Sequence, residues 1–156
     1  MLLIPDRLAS ILRPISAQGS LYLGCTKSGE VVADENNHWF EKDHWRFGDS
    51  VGESKAQYPR HAHGDFYGFS RHIARYIARN RDVLQIYSNE DTTVGAWMLG
   101  LSIEHMDEGS LCCSLSSCQR RPRCAVYSES QCRGICNDHQ GLIEAFDSCN
   151  QHVTRQ

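Results

Sequence analysis

The 156-residue sequence predicts an α/β fold followed by a cysteine-rich tail. Three observations lead to this prediction. Segments whose apolar residues follow the helical period alternate along the chain with short strand-like segments. Turn residues such as Gly, Asn and Ser separate these segments. Seven of the eight cysteines lie between Cys112 and Cys149, so the last part of the chain has a different character from the rest.

The first part of the chain predicts a helix, one or two strands and a long loop. Residues 5–12 begin with helix-start signals and carry an apolar stripe that ends near Pro14. Residues 20–25 alternate like a strand, and residues 30–32 form a second possible strand after a turn. Residues 34–57 show no sustained period, and a loop of that length in a compact domain is usually functional or disordered.

The second part predicts further strands and helices. Residues 64–69 are aromatic and punctuated by glycine, which suits a strand that a ligand or another backbone approaches closely. Residues 84–86 and 101–105 also predict short strands, and residues 140–149 predict a closing helix. A helix over 70–79 is capped by Ser70. It should turn Ile73, Ala74 and Ile77 inward and Arg71, Arg75 and Arg79 outward.

The stretch 87–99 organises the prediction. Its apolar residues recur at the spacing that gathers them on one helical face, namely Val94, Trp97, Met98 and Leu101. Ser88 and Asn89 are capping residues, so Glu90 and Asp91 should lie exposed in the first helical turn. The simpler interpretation is that these carboxylates complement the helix dipole, worth about 0.3–1 kcal/mol each. The alternative is that one of them is a general base held on a rigid element.

Composition excludes some functions. A formal charge of −3 gives no positive field for a phosphate backbone, so nucleic acid is not the expected partner. The short basic cluster at residues 120–123 is interpreted as a solvated loop. No run reaches the ~18 apolar residues that span a bilayer. The Walker and dinucleotide-binding motifs are also absent from the sequence.

The cysteines favour disulfides over zinc. Their spacings contain no Cys-x-x-Cys pair, which is the usual feature of zinc sites, and such a density is usual where disulfides persist. We therefore expect disulfides and, with them, a secretory lumen. Zinc ligation and free thiols are the open alternatives to disulfides. His61 and His63 could share one face of an extended segment, but no third ligand lies nearby in sequence, so no metal site is predicted there.

Collinear blocks from about Leu8 to Cys149 resemble one enzyme family. The run Asn89-Glu90-Asp91-Thr92-Thr93-Val94-Gly95-Ala96-Trp97-Met98-Leu99 resembles the Glu-Asp-Val block of inverting beta-1,3-glycosyltransferases. Its form is that of plant beta-1,3-galactosyltransferases and hydroxyproline O-galactosyltransferases. Further blocks continue the same order at residues 21–29, 38–41, 58–70, 104–107, 111–113 and 132–136. Two positions depart from the family pattern, Lys42 in place of proline and Thr92 in place of valine.

The resemblance implies a fold and an activity. The fold is the GT-A type of glycosyltransferase sandwich, a mixed sheet flanked by helices, of which this chain is the C-terminal portion. Residues 1–111 would be the C-terminal half of the catalytic domain and residues 112–156 a cysteine-rich extension. The activity is transfer of galactose from UDP-galactose, with Mn²⁺, to a glycan or hydroxyproline hydroxyl of a glycoprotein. The expected location is the Golgi lumen or Golgi membrane.

The resemblance also assigns residues. Asp91 would be the base that deprotonates the acceptor hydroxyl, and Glu90 would orient acceptor or sugar hydroxyls. Substrate-binding positions would be Trp39, Glu41, His61, Gly64 and Tyr67. The family's membrane anchor and its Asp-Asp-Asp metal motif are missing from this sequence. We therefore expect the chain to be incomplete, to hold no metal and, alone, to bind a UDP-sugar poorly.

Three choices remain open. The aromatic residues of the long loop could form a small satellite core, or they could stack on sugar rings. His105, expected near a sheet edge, could be structural or could contact a metal or diphosphate. A different class of function is a non-catalytic secreted module, stapled by disulfides, that binds glycans or proteins through the Trp39 to Trp45 loop.

Overall fold

The computed structural model describes residues 1–15, 19–48, 55–118, 123–128 and 139–150. Arg120, Arg121, Cys132 and Cys136, which figured in the sequence predictions, lie outside these residues. The chain packs as two compact units. The central unit is Gly19–Asp107, and the terminal unit combines Met1–Gln18 with Glu108–Gln156. The predicted boundary between residues 111 and 112 is a family-level division that this packing does not test.

The elements follow the predicted α/β character. The strands are β1 (Leu2–Leu3), β2 (Leu21–Lys27), β3 (His61–Phe69), β4 (Glu104–Asp107), β5 (Cys113–Ser114) and β6 (Val126–Ser128). The helices are α1 (Pro5–Ile15), α2 (Arg71–Asn80), α3 (Glu90–Leu99) and α4 (His139–Asn150). Short 3-10 turns occur at His44–Phe47, Gly109–Leu111 and Leu115–Ser117.

The central unit is built on a mixed three-stranded sheet in the order β3-β2-β4. Strand β2 runs antiparallel to β3 and parallel to β4. Its last residue, Lys27, pairs with His61, the first residue of β3, and the register shifts between Gly24 and Thr26. The mixed sheet expected from the resemblance is therefore confirmed.

Helix α3 closes the core of the central unit, as its periodicity predicts. Met98 is fully buried, and it shares a core with Tyr22, Ala62 and Ile73. Val94, Trp97 and Leu101 are partly buried against the same core. Asn89 stands at the N-cap position in extended conformation, but its side chain makes no capping hydrogen bond.

Several predicted elements need correction. Residues 84–86 form no strand, and the Ile86 side chain is 63% exposed, because the chain runs there as an irregular lead into α3. Glu30 forms only an isolated bridge, with Gln57, in place of the second strand. The strand expected at 101–105 begins at Glu104, since Leu101 packs into the core. In α2, Ile73 is buried as predicted, but Ala74 is exposed.

The terminal unit has its own three-stranded sheet, in the order β1-β6-β5. Its core consists of Ile4, Cys113, Cys118, Cys124, Tyr127 and Cys149. Two disulfides, Cys113–Cys124 and Cys118–Cys149, lie in this core. Cys25 and Cys112 are disulfide-bonded as well, so the disulfide prediction is confirmed for the described cysteines.

Arg7 ties α1 into the terminal unit. Its guanidinium donates to the carbonyl oxygens of Cys124, at 3.0 Å, and Cys149, at 2.6 Å. It also donates to the Tyr127 hydroxyl at 3.0 Å. Together these bonds fix the helix against residues far along the chain. In the described part of the chain no helix is both long enough and apolar enough to cross a bilayer.

Candidate active site around Asp91

Asp91 is the charged group around which the central unit places its other polar side chains. It lies in the first turn of α3, and it is only 8% exposed, whereas Glu90 beside it is exposed. The prediction that both carboxylates are exposed is therefore wrong for Asp91. The reason is tertiary: the first turn of α3 packs onto the ends of β2 and β3, and this buries the side chain that faces them.

Two cationic or potentially cationic groups face the Asp91 carboxylate. The ammonium Nζ of Lys27 lies 2.8 Å from Asp91 Oδ2. The Nε2 atom of His61 lies 3.7 Å from the same oxygen. The other carboxylate oxygen, Oδ1, accepts the backbone N–H of Thr92 at 2.8 Å. The carboxylate is therefore held from β2, from β3 and from its own helix.

The sheet register brings Lys27 and His61 together. These residues pair across the antiparallel β2 and β3 ladder, at the point where β2 ends and β3 begins. The side chain of His61 is 3% exposed and that of Lys27 is 41% exposed. His61 Nδ1 faces the carbonyl oxygen of Pro59 at 2.7 Å. A carbonyl oxygen can only accept, so Nδ1 carries the proton of this bond.

These contacts set the charge of Asp91. Burial raises the pKa of Asp91, but the interactions with His61, with Lys27 and with the Thr92 N–H more than offset that effect. The pKa is held well below the usual range of an aspartate. Asp91 is consequently ionised at neutral pH, and in this arrangement it is a weak proton acceptor.

The backbone of Gly64 lies beside both carboxylates. A Cβ at this position would stand 3.1 Å from Glu90 Oε1 and 3.6 Å from Asp91 Oδ2. Tyr67 follows on the same strand, and burial, with the negative charges of Glu90 and Asp91, raises the pKa of its hydroxyl. The structure thus brings together five of the predicted site residues: His61, Gly64, Tyr67, Glu90 and Asp91.

Tyr22 lies behind this group. Its hydroxyl accepts the backbone N–H of Ala62 at 3.0 Å, and its ring meets Tyr67 edge-on at 6.2 Å between centroids. Burial above all raises the pKa of Tyr22 to about 12. Tyr22 is therefore neutral at physiological pH and serves as a packed support for β3.

Glu41 is placed differently from the expectation. It is fully buried, and its carboxylate accepts three hydrogen bonds from neighbouring segments. The donors are Ser88 N at 2.9 Å, Ser88 Oγ at 3.2 Å and Asp43 N at 3.1 Å. These bonds fasten the long loop to the segment that leads into α3. In the described structure Glu41 therefore positions the loop, and its expected contact with a sugar stays a prediction.

Trp39 and Trp45 are both 60% exposed. This exposure does not fit the interpretation that the loop aromatics form a small satellite core. Phe47 is the loop aromatic that does pack, with its ring centroid 5.0 Å from that of Tyr58. The side-chain amide of Asn89 donates to the Trp39 carbonyl oxygen at 3.4 Å. Asn89 immediately precedes Glu90, so the Trp39 backbone is tethered beside the start of α3.

Two predicted candidates lie outside this cluster. The Nδ1 atom of His63 lies 3.3 Å from Asp65 Oδ2. His105 stands on the edge strand β4 and packs edge-on against Tyr22 at 5.5 Å, which favours its structural interpretation. Among the described residues, no group of three or more His, Cys, Asp or Glu side chains could hold a metal ion.

Lys27 is the site residue that the sequence reasoning missed. It stood in a segment interpreted as a turn, 64 positions before Asp91 in the numbering. The predicted strand ended at residue 25, two residues before Lys27, and a position just after a strand does not specify which strand lies beside it. The pairing of Lys27 with His61 requires the register of β2 and β3, which the sequence alone does not reveal.

Comparison with known proteins gives a consistent family. The model of the Galactosyltransferase family matches residues 1–108. Probable beta-1,3-galactosyltransferase 1 of Arabidopsis thaliana is 38% identical over 152 residues, which cover 92% of this chain and 38% of that protein. Hydroxyproline O-galactosyltransferase HPGT1 of Arabidopsis thaliana is 38% identical over 130 residues, which cover 83% of this chain and 34% of that protein. No solved structure matches the chain.

Proposed function

Because the chain belongs to the galactosyltransferase family, we propose that it takes part in transfer of galactose from UDP-galactose to a hydroxyl group, with inversion at the anomeric carbon. The acceptor would be a glycan or a hydroxyproline of a glycoprotein. The names of the Arabidopsis relatives support this choice. The chain spans 38% of the length of the first of these relatives, so the activity of a whole protein of this kind is a proposal here.

The observation that carries the proposal is the placement of Asp91. It is an ionised carboxylate fixed at the N-terminus of a packed helix, next to an exposed second carboxylate and the glycine backbone of β3. A general base must reach the proton that it abstracts, at about 2.6–3.2 Å between heavy atoms. The exposed side of this cluster, near Glu90 and Gly64, is where an alcohol could approach it.

The proposed step moves one proton and exchanges one carbon–oxygen bond for another. The acceptor hydroxyl gives its proton to a carboxylate oxygen of Asp91 while the hydroxyl oxygen forms a bond to the anomeric carbon of galactose. The bond from that carbon to the diphosphate oxygen breaks, and UDP leaves with the electron pair. Attack on the face opposite UDP inverts the configuration. Glu90, exposed beside Asp91, would accept hydrogen bonds from sugar or acceptor hydroxyls and orient them.

Trp39 is the proposed aromatic platform for a sugar. Its ring is exposed, and its backbone is held by Asn89, two residues before Asp91. The apolar C–H face of a galactose ring would pack on such an indole, a contact of the kind worth about 0.5–1.5 kcal/mol. His61 is too buried for such a contact, and in this proposal it supports Asp91.

Manganese is part of the expectation from the resemblance, but the described residues do not fit it. No cluster of three suitable side chains exists among them, and the Asp91 oxygens are already engaged by Lys27 and Thr92. We therefore route no step through a metal ion.

The proposed location is the Golgi lumen. Disulfides in the terminal unit support an oxidising compartment, because such bonds are rare in reducing compartments. Immunofluorescence with an antibody against this chain, compared with a Golgi marker, checks this location.

A chimaeric enzyme tests the activity. Residues 1–156 replace the matching segment of the Arabidopsis beta-1,3-galactosyltransferase, and transfer from UDP-galactose to methyl β-galactoside and to a hydroxyproline peptide is measured. Asp91→Asn should lower kcat by about 10²–10⁴-fold, the range for loss of a general base, with little change in acceptor affinity. Glu90→Gln should chiefly raise the KM for the acceptor.

The control variant is Asp107→Asn, which removes an exposed carboxylate paired with Arg60 at 2.6 Å. It should leave kcat unchanged. Retention of full turnover by the Asp91→Asn enzyme would refute the proposed base. A chimaera that binds glycans without transferring galactose would favour the alternative of a non-catalytic binding module.

A further inference from the structure

The two oxygens of Asp91 are not equally available. Oδ1 accepts the backbone N–H of Thr92, a bond that belongs to the first turn of α3. Oδ2 lies 2.8 Å from Lys27 Nζ and 3.7 Å from His61 Nε2. The first distance is that of a charge-assisted hydrogen bond, whereas the second is beyond ordinary hydrogen-bond range. Lys27 is therefore the direct partner of Oδ2.

Lys27 and His61 also differ in their freedom to move. The imidazole is buried, its Nδ1 is bonded to the Pro59 carbonyl oxygen, and Gly95 packs against its Cβ. The lysine side chain is 41% exposed and ends on a flexible stem of four carbons. The Lys27 side chain therefore has more freedom to move away from Asp91 than the His61 imidazole has.

The position of Lys27 conflicts with the reach required of a base. An acceptor hydroxyl must come within about 2.6–3.2 Å of the oxygen that takes its proton. The ammonium already stands at that distance from Oδ2. On the basis of the proposed function, we propose that Lys27 is a positioning residue whose ammonium holds Asp91 Oδ2 until an acceptor hydroxyl displaces it.

Replacement of the Lys27 ammonium by an acceptor hydroxyl at Asp91 Oδ2 should cost little free energy. Ion pairs with a solvent-exposed partner are weak, because the ammonium regains hydration when it leaves. The Asp91 carboxylate keeps its Thr92 bond, so its orientation survives the departure of Lys27. Loss of the nearest cation makes the carboxylate more basic at the moment when an alcohol has arrived. The same residue would thus restrain the base when no acceptor is present.

The charged and titratable groups around Asp91 come from three elements. They are Lys27 and Tyr22 from β2, His61 and Tyr67 from β3, and Glu90 from α3 itself, with Tyr58 contributing from the segment before β3. The three tyrosines have raised pKa values and are neutral at acid and neutral pH. The tyrosines therefore do not obscure the change in Asp91 titration on replacing Lys27, and His61 and Glu90 are present in both proteins.

The test uses carbon-13 NMR of side-chain carboxyl groups in the 156-residue chain. The Asp91 signal is assigned by its loss in Asp91→Asn. Lys27→Met should move the Asp91 titration midpoint upward by about one pH unit or more, the effect expected for removal of an adjacent cation. Lys27→Arg should restore it, since a guanidinium carries the same charge. Lys55→Met is the matched control, because Lys55 pairs with Glu30 at an exposed site.

Displacement is tested by adding methyl β-galactoside or a hydroxyproline peptide. Either alcohol, once bound, should shift the Lys27 side-chain signal and raise the Asp91 midpoint in the wild-type chain. In Lys27→Met, the bound alcohol should change the Asp91 midpoint little. The alcohol should also bind this variant several-fold more tightly than it binds the wild-type chain. A purely structural lysine would give weaker binding on replacement.

The outcomes separate the two proposals. Binding of an alcohol with an unmoved Lys27 signal overturns the displacement but leaves the proposed function intact. An unchanged Asp91 midpoint in Lys27→Met also overturns it. If neither alcohol binds to the wild-type chain or to Lys27→Met, the proposed acceptor class is wrong. The proposed displacement of Lys27 is then wrong as well.

Discussion

Gly95 of α3 packs directly against His61 at the start of β3. A Cβ built on Gly95 would fall closer to His61 Cβ than any real side-chain contact allows, and it would also crowd the His61 ring. Only a residue without a side chain lets the helix approach this strand so closely. That approach brings the first turn of α3, with Asp91, within reach of the ends of β2 and β3.

Gly95→Ala should destabilise the central unit. Alanine favours a helix by about 1 kcal/mol over glycine, but the clash with His61 has to be relieved by moving the helix or the strand. Overpacking of this kind costs about 1–3 kcal/mol, so the net effect should be a loss of stability, measured by urea unfolding. Gly68→Ala is the control, because no atom lies within 4 Å of its Cβ position. Equal stability of both variants would contradict the close contact.

Asp91→Asn should remove a pH-dependent part of the stability. The pKa of Asp91 is lowered in the fold, so its ionised form stabilises the native state. That contribution is complete above about pH 4, the ordinary aspartate range, and it is lost as the pH falls toward the lower pKa of the folded state. Because Lys27 is 41% exposed, we expect only about 1–2 kcal/mol near neutral pH.

The measurement is the free energy of unfolding of wild type and Asp91→Asn between about pH 7 and about pH 3. The difference between them should shrink as the solution becomes acidic. A difference that grows with acidity would have the wrong sign for a lowered pKa. Asp107 also has a lowered pKa, chiefly from the Thr26 N–H, so Asp107→Asn shows how an exposed carboxylate behaves in the same assay.

Glu41→Gln should loosen the long loop. The amide would place an NH₂ group against donors, since Ser88 N, Ser88 Oγ and Asp43 N all point at this fully buried carboxylate. An unsatisfied buried donor costs about 1–3 kcal/mol, and urea unfolding should show a loss in that range. Glu30→Gln removes an exposed carboxylate paired with Lys55 and should change stability by less than about 0.5 kcal/mol. If Glu41→Gln leaves the free energy of unfolding unchanged, Glu41 becomes a sugar-binding candidate again.

Trp39→Ala should weaken acceptor binding without affecting the fold. Removal of an exposed stacking platform is expected to raise the dissociation constant of methyl β-galactoside by about tenfold, or ~1.4 kcal/mol. Trp45→Ala is matched in exposure, at 60%, but the Trp45 ring is covered by the Arg46 guanidinium at 4.6 Å. Titration calorimetry of the chimaeric enzyme distinguishes the two. Equal losses for both variants would indicate a general effect of the loop.

The helix at the centre of the site could be predicted because its signal is local. Val94, Trp97, Met98 and Leu101 repeat at the helical period, and a buried helix face needs no information from elsewhere in the chain. The disulfides of the tail were predictable from cysteine density for the same reason. The predicted inward face of α2 was only partly right, because the sheet covers Ile73 and leaves Ala74 exposed.

The environment of Asp91 could not be predicted, because it depends on register. Lys27 and His61 are 34 positions apart in the numbering, and only the β2 and β3 ladder sets them side by side. A slip of one residue in either strand would turn the side chains of that strand to the opposite face and separate Lys27 from His61. The strand expected at residues 84–86 failed for a related reason: apolar Leu84 and Ile86 suggested burial, but no neighbouring strand is there to pair with them.

The hydrogen bonds of Arg7 affect how the chain folds. They connect α1 to carbonyl oxygens 117 and 142 positions later, so α1 can dock only once those distant residues are in place. Contacts so distant in sequence slow folding. Residues 19–107, which carry the sheet and helix around Asp91, make none of these contacts with Arg7. Cys149 is also joined to Cys118, so reduction of this disulfide would loosen one of the two carbonyl anchors that hold α1.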